Sequence, residues 1–113
     1  MTYAINERID THAARLGVSA ETLIQVAEPF RRDIEARCDV VAADHESWGR
    51  LSCHAKSAWV ANSWLPAVHG LDRAPIIELG KAARPNLPTA KVAEILVEVV
   101  LQTRVSEPGA HAA

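Results

Sequence analysis

Apolar residues recur every three or four positions along most of the chain, and this spacing predicts an all-α protein. In the first expected helix, residues 3–16, they lie on one face: Ile5, Ile9, Ala13 and Leu16. Gly17 is placed to end this helix, because glycine readily takes the left-handed conformation that follows many helix C-termini. Ser19 then offers its hydroxyl as the cap of a second helix over residues 20–28.

Two further helices are expected in the middle of the chain. Pro29 cannot continue the second helix without losing a backbone hydrogen bond, so we expect a kink there and a third helix over residues 30–43. A fourth helix is expected over residues 46–65, and residues seven apart form a stripe that should face the core: Leu51, Ala58 and Leu65. Gly49 leaves open whether the third and fourth helices are continuous.

The last two expected helices lie on either side of a turn at residues 84–88. Asp72 is placed to cap a helix over residues 73–83, and Thr89 to cap one over residues 89–104. The last helix should turn one set of side chains inward: Val92, Ile95, Leu96 and Val99. Another set should face water: Lys91, Glu94 and Glu98. A strand over residues 95–101 is the competing interpretation, because valine is frequent there.

Composition agrees with one globular domain. The chain has 113 residues, of which 49% are hydrophobic and 23% charged. Together with the spacing, this predicts a compact single-domain bundle of five or six helices over residues 1–105, with a frayed C-terminal tail at residues 106–113. We expect a cytoplasmic protein without a membrane partner, because the N-terminus does not resemble a signal peptide and no apolar run is long enough to span a bilayer.

Residues 9–28 resemble the helix-turn-helix motif of DNA-binding proteins. The resemblance rests on small or apolar residues at the crossing, turn and inward positions: Ala13, Gly17, Val18, Leu23 and Val26. His12 departs from the motif, which prefers an apolar residue there. The resemblance implies that Gln25 contacts a base edge and that three arginines hold phosphates: Arg31, Arg32 and Arg37. Glu21 and Glu28 oppose this, because they place negative charge on the same face.

Residues 44–59 hold several side chains of the types that bind metals: Asp44, His45, Glu46, Cys53 and His54. Their spacing is poor for one ion, because neighbours on a helix diverge by about 100° and His45 lies about 12 Å along the axis from Cys53. The same divergence separates Cys53 from His54 as a nucleophile and its base. We therefore expect no metal, no cofactor and no catalytic residue. The sequence leaves open whether Cys38, His45, Cys53 or His54 joins a site built with other helices.

Three tryptophans supply most of the aromatic content of the chain. Trp48 and Trp59 share a face of the fourth expected helix and Trp64 lies nearly opposite, so at least one should be in the core and another exposed. Trp64 comes just before Pro66 ends the helix, where few neighbours can cover it. We predict that Trp64 is exposed and is the centre of a partner-binding patch that also includes Val60, Ala61 and Val68.

These patterns favour a non-enzymatic interaction or regulatory module that docks a protein partner or a second copy of itself as a homodimer. The alternative is a small helix-turn-helix regulator that binds DNA through residues 9–28. A net charge of -2 favours the first hypothesis, because nucleic-acid-binding domains generally carry an excess of basic residues. A second corner over residues 76–96 has the same helix–turn–helix rhythm, which indicates that both corners serve packing.

Overall fold

The computed structural model describes residues 7–106, with side chains through Thr103. This range forms six α-helices and no β-strand, as the spacing predicts: α1 (Glu7–Leu16), α2 (Ala20–Ala27), α3 (Arg31–Asp44), α4 (Cys53–Trp64), α5 (Ala74–Ala82) and α6 (Thr89–Ser106). The expected helix start at residue 3 and the expected tail beyond Ser106 lie outside the described residues. None of the described helices is long and apolar enough to cross a membrane.

Helix α6 lies at the centre of the bundle, and the other five helices all pack on it. Its buried side chains surround the helix: Val92, Ala93, Ile95, Leu96, Val97, Glu98, Val99, Val100 and Thr103. This burial is expected of a helix that is apolar on nearly every side. The competing interpretation of residues 95–101 as a strand is therefore wrong. The prediction that these side chains face water is confirmed for Lys91 and Glu94, which are partly exposed. It is wrong for Glu98, which α1 covers.

The corner between α1 and α2 forms as predicted. Gly17 has a φ of 72°, and its N–H donates to the carbonyl of Ala14 at 3.1 Å. The N–H of Val18 donates to the carbonyl of Ala13 at 3.0 Å, which completes a Schellman motif. Ser19 caps α2, since its hydroxyl accepts from the N–H of Thr22 at 3.1 Å.

Helices α3 and α4 are separate, and α4 begins later than the sequence predicts. Pro29 lies in a 3-10 turn, Glu28–Phe30, which is the expected kink before α3. Residues 45–52 lie between α3 and α4, with a 3-10 turn at Trp48–Arg50. Ser52 caps α4 by accepting from the N–H of Ala55 at 3.1 Å. Because α4 starts at Cys53 instead of residue 46, Leu51 precedes the helix, and the expected inward stripe is wrong.

The connection between α4 and α5 consists of two 3-10 turns, Leu65–Ala67 and Gly70–Arg73. The predicted capping of α5 by Asp72 is wrong, because Asp72 lies within the second turn and Arg73 occupies the cap position. The Arg73 guanidinium donates to the carbonyl of Val68 at 2.6 Å and to that of Leu65 at 2.8 Å. These two bonds hold the connection in a fixed shape beside the end of α4.

Gly80 marks a close contact between α5 and the segment that leads into α6. A Cβ added at Gly80 would lie 2.4 Å from the carbonyl oxygen of Leu87 and 3.3 Å from a methyl carbon of Val92. We expect Gly80→Ala to lower the free energy of unfolding by about 1–3 kcal/mol, because the backbone must shift to relieve this overlap.

Urea unfolding followed by circular dichroism measures the effect of Gly80→Ala. Gly49→Ala is the matched control, since a Cβ there meets nothing within 4 Å. Equal stability of the two variants would contradict the close contact.

Candidate functional site

The partner-binding patch predicted around Trp64 is not exposed. Trp64 retains only 2% of its accessible surface, and the other three members of the patch are also buried: Val60, Ala61 and Val68. The Trp64 ring packs edge-on against Phe30, with ring centroids 5.5 Å apart. The inward face of α4 is formed by residues at helical spacing: Ser57, Val60, Ala61 and Trp64. The prediction that Trp64 is exposed is therefore wrong.

A different tryptophan is exposed. Trp59 keeps 52% of its accessible surface and packs edge-on against His45, with centroids 4.9 Å apart. Trp48 is half-buried, and the Lys56 ammonium lies 5.4 Å from its ring centroid. The expectation that one tryptophan is in the core and another exposed is confirmed, but Trp59 takes the place that was assigned to Trp64.

Trp64 and Val68 form part of the floor of a surface groove of about 430 Å³ between α3 and the α4–α5 connection. We call it the α3 groove. Its apolar lining combines aromatic and aliphatic side chains: Phe30, Ala36, Val40, Trp64, Ala67 and Val68. Charged side chains complete the lining: Asp33, Arg37 and Asp72. The groove thus has an apolar floor and a charged rim.

Two aliphatic side chains beside the groove are strongly exposed. Val40 lines it and keeps 51% of its accessible surface, and Leu71 keeps 90%. Leu71 lies in the turn Gly70–Arg73, next to the lining residue Asp72. The hydrogen bonds from Arg73 hold this turn in place. Leu71 therefore lies in the same connection as the groove-lining residues Val68 and Asp72.

The α3 wall of the groove has a signal in the sequence that was missed. Residues 33, 36, 37 and 40 follow the i, i+3, i+4, i+7 spacing of one helix face. Asp33 and Arg37 interrupt the apolar character of that face, so it reads as solvated. The α4–α5 wall has no comparable signal, because its shape depends on hydrogen bonds from Arg73 to backbone carbonyls.

A second cluster joins α1 to α6 around Glu98. The Glu98 side chain is 2% exposed, accepts a hydrogen bond from Arg8, and lies 2.6 Å from Nε2 of His12 at its other oxygen. Arg8 is half-exposed and His12 partly buried. The buried carboxylate therefore has a partner at each of its oxygens, as a buried charge requires. The cluster is therefore suited to fastening α1 onto the central helix.

Cys53 lies near this cluster and lines a second pocket of about 540 Å³ together with Cys38. The Gln102 side chain donates to Sγ of Cys53 at 3.2 Å. Burial raises the pKa of the Cys53 thiol, and the nearby negative charge of Glu98 adds to this effect. Cys53 is the first residue of α4, whereas the expected helix over residues 46–65 places it in the helix interior. Within residues 7–106, no three His, Cys, Asp or Glu side chains come together as potential metal ligands.

The raised pKa of Cys53 predicts that its thiol is alkylated slowly. We expect Cys53 in the folded protein to react with iodoacetamide several-fold more slowly than in urea-unfolded protein at about pH 8, because less thiolate is present. Mass spectrometry of timed samples of Cys38→Ser protein isolates the Cys53 signal. Faster labelling in the folded state would show that the start of α4 outweighs burial.

The four residues assigned to DNA in the alternative hypothesis have different roles. Gln25 and Arg32 are exposed, and Arg37 lines the α3 groove. Arg31 has a side chain only 11% exposed. It donates to Glu28 at 3.0 Å and to the Thr103 hydroxyl at 2.6 Å. Arg31 therefore fastens α3 to α6, which leaves little of its side chain accessible to a phosphate.

The four residues that the sequence left as possible members of a site built with other helices also lie in different places. Cys38 and Cys53 share a pocket, whereas His45 packs on Trp59 and His54 is exposed to solvent. Comparisons with protein-family models, with curated proteins and with solved structures find no match to this chain.

Proposed function

We propose that this chain is a non-enzymatic protein-interaction module that binds an apolar protein segment in the α3 groove. The observation that carries the proposal is the aromatic floor of Phe30 and Trp64 beside the exposed side chains of Val40 and Leu71. Concave surfaces with apolar floors and a few polar groups at the edge are the usual form of binding sites. Large exposed apolar side chains that adjoin one another are typical of protein interfaces.

Contacts within the walls of the groove also support binding. Trp64 and Phe30 are fixed by their edge-on packing, and the Arg73 hydrogen bonds fix the opposite wall. A preformed groove loses little conformational entropy when it is filled, so more of the contact energy remains as affinity. The floor then accepts an aliphatic or aromatic anchor, and the rim selects its orientation.

Panning of a random peptide library tests the proposal without knowledge of the natural partner. Immobilised protein should enrich peptides of about 12 residues that share spaced apolar anchors, as helix-in-groove ligands do. Ala36→Glu, which puts a charge into the groove, should reduce their affinity by about tenfold or more. Ala14→Glu is the matched control, because Ala14 is exposed on α1 and does not line the groove. Absence of enrichment, or peptides insensitive to Ala36→Glu, would refute the proposal.

DNA binding has less support. Of the proposed contact residues, Gln25 and Arg32 remain exposed, and the exposed Glu21 and Glu28 flank Gln25 on either side in the sequence. We expect no binding to duplex DNA tighter than about 10⁻⁶ M near 0.1 M salt, because these carboxylates repel phosphates. An anisotropy titration with random-sequence duplexes measures this. Tighter binding that is lost in Arg32→Ala would restore the helix-turn-helix hypothesis.

A further inference from the structure

We propose that the occupant of the α3 groove is a second copy of this chain, with Leu71 of each copy inserted into the groove of the other. This inference rests on the proposed function, since it names the partner for the same surface. It predicts a symmetric homodimer in which the groove and Leu71 act together as one interface.

The first argument is shape. In a dimer with two-fold symmetry the same patch faces itself, so the patch must contain both a projection and a recess that receives it. Leu71 is the projection, because it keeps 90% of its accessible surface. The recess is the groove, whose lining includes Val68 and Asp72 on either side of Leu71 in the sequence. The projection therefore lies in the same connection as part of the recess lining, which allows one patch to carry both.

The second argument is charge. The rim carries both signs, with Asp33 and Asp72 against Arg37. In the part of the chain that the structure describes, none of the three forms an ion pair with its own chain. A two-fold axis can place Arg37 of one copy against the acidic side chains of the other. A rim of mixed sign complements itself, whereas a purely basic or acidic partner would meet at least one like charge.

The third argument is the cost of leaving the surface bare. The monomer exposes Val40 and Leu71 beside an apolar floor, and soluble proteins seldom leave such surfaces uncovered. A second copy covers both side chains on each protomer at once. The net charge of -2 per chain opposes this association only weakly.

Sedimentation velocity of the unmodified protein is the first test. We expect a concentration-dependent shift from monomer to dimer over about 1 to 200 µM, the range in which weak to moderate interfaces associate. A protein that remains monomeric throughout this range would overturn the second-copy proposal.

Two matched variants then locate the interface. Leu71→Ser should weaken dimerisation by at least about tenfold, because it removes the side chain that fills the groove. Trp59→Ser removes another exposed apolar side chain that does not line the groove, and it should leave dimerisation unchanged. Circular dichroism checks that both variants are folded. Equal effects of the two changes, or an unchanged dimer in Leu71→Ser, would overturn the proposal.

Charge exchange tests the symmetry. Arg37→Glu makes the rim entirely acidic. The double variant Asp33→Arg with Asp72→Arg makes it entirely basic. Each should dimerise more weakly than the unmodified protein, and a mixture of the two should form heterodimers more tightly than either forms homodimers. Failure of the mixture to associate would contradict the proposed contact between Arg37 and the acidic side chains.

Failure of the dimer proposal can be distinguished from failure of the proposal that the groove binds a protein segment. A monomeric protein whose groove still binds the selected peptides, with loss in Ala36→Glu, would refute only the second copy and assign the groove to a different protein. A dimer that the same peptides dissociate would support both proposals. A monomer that binds no peptide would refute both.

Discussion

Trp64→Ala should destabilise the fold itself, beyond any effect on binding in the α3 groove that Trp64 lines. The indole is 2% exposed, packs edge-on against Phe30, and lies in the core beside the start of the α4–α5 connection. Replacement by alanine removes most of this contact area and leaves a cavity that the surrounding helices fill only in part. We expect the free energy of unfolding to fall by about 3–5 kcal/mol, a large share of the stability of a domain of this size.

Urea unfolding and thermal melting of Trp64→Ala measure this loss. Trp59→Ala is the matched control, because the same change at a half-exposed tryptophan of the same helix should cost about 1 kcal/mol or less. If Trp64→Ala kept its stability and lost only self-association, the indole would act only as a lining residue of the α3 groove, and its core packing against Phe30 would be contradicted. If both variants lost equal stability, the prediction that burial of Trp64 makes its loss more costly than that of Trp59 would be contradicted.

The error over Trp64 has a local cause. Cys53 is the first residue of α4 because Ser52 caps it, but apolar residues at helical spacing already precede Ser52, since Leu51 lies seven residues before Ala58. Spacing alone does not distinguish a long helix from two helices with a turn between them. When the predicted start of α4 lies too early in the sequence, Leu51 becomes part of the predicted inward stripe. Trp64 is then assigned to the outer side of the helix.

Elements whose signals are local were predicted correctly. Gly17 and Ser19 define the α1–α2 corner through their own backbone and hydroxyl geometry, and the structure has both. The length and apolar spacing of α6 likewise identify it as a helix. The α3 groove could not be predicted in this way, because one of its walls depends on Arg73 reaching back to the carbonyls of Leu65 and Val68.

The burial of Glu98 explains two irregularities in the sequence at once. Glu98 shares a helix face with Lys91 and Glu94, and the latter two form a partly exposed ion pair at 3.6 Å. Helix α1 covers that face at Glu98. His12 stands where the helix-turn-helix motif prefers an apolar residue, and its imidazole meets the Glu98 carboxylate at 2.6 Å. Each irregular residue is therefore the partner of the other across α1 and α6.

Glu98→Ala should lower the free energy of unfolding by about 3 kcal/mol. The change leaves the His12 imidazole and the Arg8 guanidinium without their shared acceptor, and loss of one partner of a buried charged cluster typically costs about 3–5 kcal/mol. We expect the lower end, because Arg8 is half-exposed and can turn to water. Glu94→Ala is the matched control on the same face, and its cost should be about 0.5 kcal/mol.

A double-mutant cycle separates the Glu98–His12 contact from other effects of the substitution. Glu98→Ala, His12→Ala and the double variant should give a coupling energy of about 1–3 kcal/mol, as expected for a hydrogen bond to a charged group. Hydrogen exchange should show α1 opening more readily in Glu98→Ala than in Glu94→Ala, because the cluster holds α1 against the centre of the bundle. A coupling energy near zero would mean that the burial of Ile9, Ala13 and Leu16 alone keeps α1 in place.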